Sequence, residues 1–277
     1  MSSLKRIYLT FFFLFIALTD SCLASPSRVV SLAPNLTEIL FELGLERRIA
    51  AVTSYCDYPG AAKKIPKIGG MSNPSLEAVV AVRPEMVLMT IDGNPPSFEK
   101  KLKRIGIRTH VFRVNRIVEL PQGIRELGKV LDASDRAEAL AKKIESTIER
   151  IKAKSKRGEK KRVLFIIQTE PLIVAGSGTA IDEAIKMLGW TNVASHAKGQ
   201  YPHISLETMV AYSPDVIFIS QKGSSMGQSS PTFLKRLSGM ESTQGKKIFY
   251  VGDALFRMGP RTLDGVRELE ICVQERN

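Results

Sequence analysis

The chain has few of the residues from which catalytic and metal centres are built. Histidine occurs three times, as His110, His196 and His203. A metal site wants several histidine or acidic ligands converging. His196 and His203 sit close in sequence, but His110 has no evident route to them, so each reads as a surface or structural residue and no metal site is expected. There is no G-x-S-x-G elbow, no H-E-x-x-H and no Walker loop, and Gly176-Ser177-Gly178 reads as a small turn. These absences argue against an enzyme. Apolar length is also short. The run from Ile7 to Leu18 falls below the roughly 20 residues that span a bilayer. Lys5 and Arg6 precede it, and Cys22-Leu23-Ala24 places small residues where a signal peptidase reads, so it fits the apolar core of a secretory signal. Residues 1–24 are therefore expected to be removed after Ala24, leaving a periplasmic protein. Lipid attachment at Cys22 is the alternative, but Asp20 and Ser21 make a poor lipoprotein motif.

Of three cysteines, Cys56 and Cys272 remain after such cleavage. An oxidising compartment permits a disulfide between them. Two cysteines so far apart define no framework, and free thiols are the preferred reading. The formal charge of +12 stays strongly positive without the leader. A basic balance can serve nucleic acid or an anionic membrane surface. Here the basic residues are spread along helix-like stretches with no aromatic-basic module among them, which points to a solvated basic face and no nucleic-acid partner.

What the sequence does contain is an internal repeat. Residues 75–90 read SLEAVVAVRPEMVLMT and residues 205–220 read SLETMVAYSPDVIFIS. In each copy a serine can cap a short helix, Pro84 or Pro214 stops it, and an apolar run follows as a buried strand. Arg28 to Leu32 and Arg162 to Ile167 open the two halves as strands. Each is followed by a helix ending in Leu-Gly, at Leu43-Gly44 and Leu188-Gly189. The recurring order of strand, helix, short strand, helix, strand argues for parallel α/β sheets, and two copies argue for two lobes. Between them Asp135 to Arg157 lacks Gly and Pro. Ala137, Leu140, Ala141, Ile144, Ile148 and Ile151 fall at helical spacing, with Ser134 as the expected N-cap and Gly158 as the stop. That is a rod of about 35 Å at 1.5 Å per residue, placed to join the lobes and to limit hinge opening. The expected organisation is an N-terminal lobe at 25–131, a connecting helix at 132–158 and a C-terminal lobe at 159–277.

This arrangement resembles the periplasmic substrate-binding proteins of ABC importers whose lobes are joined by one long helix, a group that takes up cobalamin, haem and iron-siderophore complexes. The resemblance covers nearly all of the chain from about Arg28 onward. Within the group, Val52-Thr53-Ser54-Tyr55-Cys56-Asp57-Tyr58-Pro59 looks most like the cobalamin-binding members, and Phe256-Arg257-Met258-Gly259-Pro260-Arg261 also matches the family pattern. It implies a transported ligand, cobalamin or an iron chelate, instead of a resident cofactor. It also implies a permease dimer as partner and a monomeric protein.

A cleft between such lobes is lined by loops at the carboxyl ends of the parallel strands. The expected set includes Pro34-Asn35, Ser54 to Tyr58, Gly69 to Pro74, Ile91 to Pro95, Gln168 to Pro171, Gly199 to Pro202 and Leu255 to Arg261. Tyr55 is the leading ligand residue, because an aromatic ring can lie against a corrin or porphyrin plane, and Asp57 belongs to the same segment. Tyr201 precedes the second repeat copy where the resemblance places an aromatic. Met71 holds the matching place before the first copy, a departure from the expected aromatic, although its thioether packs well on flat ligands. Arg257 and Arg261 can meet ligand carboxylates or phosphates through bidentate contacts, or serve in a salt bridge or in holding the loop. Trp190 reads as packing. Glu77 and Glu207 occupy one place in the two copies. Each suits the first turn of its helix through the dipole, and the resemblance implies that such glutamates pair with arginines on two permease subunits.

Overall fold

The computed structural model describes residues 25–156, 158–221 and 247–274, together with Phe233, Lys235 and Leu237. The leader segment, Cys22 included, lies outside the described residues. The first lobe alternates β1 (Val29–Ser31), α1 (Pro34–Glu42), β2 (Ile49–Val52), α2 (Leu76–Ala81), β3 (Met86–Thr90), α3 (Pro96–Arg104), β4 (Arg108–Phe112) and α4 (Leu120–Val130). Its four strands are ordered β2-β1-β3-β4, and every pairing is parallel. Next comes α5 (Ser134–Ser155). The second lobe follows with β5 (Arg162–Thr169), β6 (Leu172–Val174), α6 (Ala180–Met187), β7 (Thr191–Asn192), α7 (Leu206–Ala211), β8 (Val216–Ser220), β9 (Lys247–Val251) and α8 (Thr262–Gln274). Among the described residues β5 pairs in parallel with β7 and β8, and β8 with β9. The exception is β6, which turns back antiparallel on β5. The expected α/β architecture is therefore present, two lobes on one long helix, with a hairpin that the strand pattern did not indicate. Gln168, expected in a cleft loop, belongs to β5, and Pro34-Asn35 form the first turn of α1.

Local chemistry builds the two repeat copies alike. Ser75 Oγ accepts from the Ala78 N–H and Ser205 Oγ from the Thr208 N–H, each at 3.1 Å, so both serines cap six-residue helices. Arg83 and Ser213, each just before the proline, take positive φ of 45° and 42°. The strands that follow, β3 and β8, are buried along their whole length. The Leu-Gly helix ends also match. Gly44 and Gly189 adopt left-handed φ, which glycine reaches without strain. In each case the next residue's N–H returns to the helix, Leu45 to the Leu40 carbonyl and Trp190 to that of Ile185. Trp190 is thereby drawn inward, 9% exposed and stacked on Phe218 at 6.3 Å.

The helix predicted over 135–157 spans 22 residues, about 33 Å at 1.5 Å per residue, and all six of its periodic apolar positions are buried. Ser134 is not its N-cap. Asp132 takes φ 52°, and the Ala133 N–H closes back on the Gly128 carbonyl, so α4 and α5 share a tight turn in which Ala133 takes the cap position. The buried face of α5 lies in a single apolar core that draws on both sheets, from Val29 to Val273. The outer faces of the sheets have separate cores, one around Leu102 and one around Met209. Splaying the lobes would therefore open the shared core to water. Polar contacts hold the same junction. Glu183 of α6 accepts from the Ile117 and Val118 N–H groups at 2.6 and 3.4 Å. Among the described residues no helix is long and apolar enough to cross a membrane. Cys56 and Cys272 are not joined by a disulfide.

Candidate functional site

The first sheet changes winding direction between β1 and β3, and such a switch point leaves a crevice beyond the carboxyl ends of the strands. A cavity of about 340 Å³ lies there. Pro34, Asn35, Tyr55, Met71, Asp92 and Gly93 line it from the first lobe, and Phe256, Arg257 and Met258 from the second.

The loop after β2 is held by a buried thiol. Cys56 is 1% exposed, and its Sγ lies 3.2 Å from both Thr37 Oγ1 and Thr53 Oγ1. Burial pushes that thiol above its ordinary range, so it acts as an anchor and not as a nucleophile. Its neighbours Tyr55 and Asp57 consequently face outward, and Tyr55 keeps 49% of its surface. The Ser54 N–H donates to the Gly69 carbonyl at 2.9 Å, which brings the Met71 loop alongside. Asn94, which sequence reasoning did not single out, clamps three segments. Its Nδ2 donates to the carbonyls of Leu32 and Met71 at 3.0 and 2.9 Å, and its Oδ1 accepts from the Thr90 N–H at 2.8 Å. Asn-Pro-Pro at positions 94–96 marks a turn, but only the fold shows what the amide holds. Opposite, Phe256 meets Phe165 of β5 edge-on at 5.9 Å.

Tyr201 sits on a segment laid along β6, where the Val174 N–H donates to the Pro202 carbonyl and the Ile204 N–H to that of Leu172. It does not line the cavity itself. Desolvation and then the Asp92 carboxylate raise its phenol above the ordinary range.

The two arginines are already engaged by the protein. Arg257, 7% exposed, has Nη1 at 2.8 Å from Asp57 and 3.4 Å from Glu38, while its Nε reaches Asp253 at 2.8 Å. Arg261 bonds Glu38 at 3.2 Å and lies 4.1 Å over the Tyr58 ring. The alternative to a ligand contact expected from the sequence, a surface salt bridge, is corrected here to a buried one, although Arg257 still reaches the cavity wall. The reason is Glu38. It lies 2% exposed on a helix whose first two turns are wholly buried, and a carboxylate there needs cationic partners. Burial raises its carboxyl, with Arg261 and Arg257 pulling the other way. For Asp57 burial also works to raise the carboxyl, but Arg257 brings it below the usual range. Asn35 adds a lobe-to-lobe bond, donating to the Met258 carbonyl at 3.0 Å. Neither Glu38 nor Asp253 carries a local signal that sequence reasoning could have used.

Tyr55, Met71 and Arg257 thus meet at one cavity, with Asp57 bonded to Arg257 and Arg261 sharing Glu38 with it, while Tyr201 is not among the residues that line it. Glu77 and Glu207 stand apart, exposed on the first turns of α2 and α7. His110 lies on β4, and His196 and His203 are exposed on the second lobe. A larger cavity of about 640 Å³ flanks the junction of α5 and α6. It contains no aromatic side chain, and both its carboxylates are paired within it, Glu183 with Arg116 and Asp182 with Lys186. The cleft is the better site because it joins both lobes at the strand ends.

Two α/β lobes fastened to one helix, with a cavity between the carboxyl ends of their strands, define a solute-binding protein built for capture. The chain belongs to the periplasmic binding protein family, whose profile matches residues 29–254. It is 26% identical over 245 residues to the vitamin B12-binding protein of Vibrio parahaemolyticus, covering 88% of each chain. In structure it is similar to the periplasmic heme-binding protein of Roseiflexus sp. RS-1 in its apo form, with TM-score 0.79, 27% identity and coverage of 90% and 98% of the two chains. The periplasmic vitamin B12-binding protein of Vibrio cholerae shares the fold at TM-score 0.77 and 22% identity, with 90% and 99% covered. The family serves solute binding for transport and is not one of enzymes.

Proposed function

We propose that this protein captures cobalamin or a related corrinoid in the periplasm and delivers it to the permease dimer of an ABC importer. The observation that carries the reading is the inter-lobe cavity, walled by the Tyr55 ring and the Met71 thioether on one lobe and by Phe256 and Met258 on the other. Aromatic and thioether groups suit a broad flat face, and its volume lies in the usual range for ligand sites. Relatives named as vitamin B12-binding proteins across nearly the whole chain favour a corrinoid. The likeness to a heme-binding protein keeps haem as the second reading. Export through cleavage after Ala24 belongs to the same proposal, as does docking through Glu77 and Glu207.

Calorimetry on the mature protein with cobalamin, cobinamide, haem and ferric siderophores tests this, together with an absorbance spectrum of the purified protein. One corrinoid bound per chain is expected. No corrinoid heat, alongside clear haem or siderophore binding, moves the assignment to those ligands.

A further inference from the structure

Among the described residues, two charged side chains line the cavity, Asp92 and Arg257. The charge of Arg257 is met by Asp57, Asp253 and Glu38. Arg261, the other cation of this cluster, pairs with Glu38 and Asp253. Two guanidinium groups therefore face three carboxylates before Asp92 is counted. Even with Glu38 protonated, Asp57, Asp253 and Asp92 outnumber the arginines. Asp92 itself is exposed at the rim. Its Oδ1 accepts from Thr90 Oγ1 at 2.6 Å, and no cation of the described residues pairs with it.

From this imbalance we propose that the cleft selects its ligand by charge, with Asp92 as the selecting carboxylate. It takes a macrocycle whose rim is amide-bearing, uncharged or cationic, and disfavours one whose rim carries carboxylates. The inference rests on the reading that this cleft holds the transported solute. A guanidinium already bonded to carboxylates has little to offer a ligand anion, and an anion entering beside Asp92 meets a like charge.

The test uses two pairs of ligands that differ in rim charge. One is cyanocobalamin and the monocarboxylic acid made by hydrolysing a single rim amide. The other is haem and its dimethyl ester, in the same detergent buffer. Affinities are measured by calorimetry for the wild-type protein and for Asp92→Asn, which keeps the shape and the Thr90 hydrogen bond. In whichever macrocycle binds, the member without the carboxylate should bind about tenfold tighter, and salt at about 0.5 M should shrink the gap. Asp92→Asn should bring the members within about threefold. Equal binding of the members, tighter binding of the carboxylate form, or a gap unchanged by Asp92→Asn overturns charge selection. If haem ester binds and cyanocobalamin does not, the corrinoid reading fails and charge selection stands. Both corrinoids binding alike has the opposite meaning, and no binding by any of the four overturns both.

Discussion

Tyr55 and Tyr201 keep 49% and 44% of their surface open although each is fixed by a well-bonded backbone, so neither ring is holding the core together. Replacing either by Ala should weaken ligand binding by about 1–3 kcal/mol if the ring packs on the ligand, with the melting temperature nearly unchanged. Calorimetry and thermal unfolding on the same preparations decide this. Normal affinity with early melting would make both rings structural. Glu38 gives a different test, because its carboxyl is raised in the fold by burial. In the unfolded chain that group ionises at its ordinary value. As pH rises through the folded value, the wild-type protein therefore loses stability that was present at lower pH, whereas Glu38→Gln has nothing to titrate. The melting temperature of the variant minus that of the wild type should increase from about pH 4 to about pH 7. A difference that falls over this window would mean that Arg257 and Arg261 dominate Glu38 and hold it ionised.

At the scale of elements, the packing of α4 on α5 sets how firmly the rod is held. Gly128 of α4 faces Ala137 of α5 so closely that an added Cβ would stand 2.2 Å from the alanine Cβ. Gly→Ala inside a helix ordinarily stabilises by about 0.5–1 kcal/mol. Here overpacking should reverse the sign, and Gly128→Ala should cost about 1–3 kcal/mol. Urea unfolding reads it as a lower midpoint at unchanged slope, and a raised midpoint would show that the helices can shift apart freely. The rod was legible because its apolar residues repeat with the helical period along 22 residues. Its first residue was not, since the α4–α5 contact, rather than the hydroxyl of Ser134, decides where the turn ends. The hairpin β5–β6 escaped for a related reason. Leu172–Val174 is three residues long, too short for a period to declare itself.

At the scale of the whole molecule, one motif appears on both lobes. Glu77 and Glu207 are exposed in the first turns of α2 and α7, and the Glu77 carboxyl is held below its ordinary value first by its own backbone N–H and then by Ser75. A helix dipole accounts for either glutamate alone. A duplicated pair suits a symmetric permease dimer. Glu77→Lys combined with Glu207→Lys should leave ligand affinity and folding nearly intact. It should abolish stimulation of the transporter ATPase in reconstituted vesicles, with partial loss from either single change, since rim charges act chiefly on association. Stimulation at the wild-type level by the double variant would refute a docking role.

Local periodicity and capping were readable along the chain: the repeated Ser-capped helix and buried strand, the Leu-Gly helix ends, the rod, and hence the two-lobed class. The sequence also marked Tyr55, through the Val52 to Pro59 motif and the suitability of an aromatic ring for a flat ligand face; that a buried Cys56 turns the ring outward is a fact of the fold. The tertiary structure decided which charges meet. Arg257 and Glu38 are far apart in the chain, and nothing near either residue states that the other will arrive. Their pairing follows from α1 being buried between the lobes, where an ionised carboxylate is too poorly hydrated to stand without a cation. That same burial turned two arginines that the sequence left open to a ligand into the fastening between the lobes.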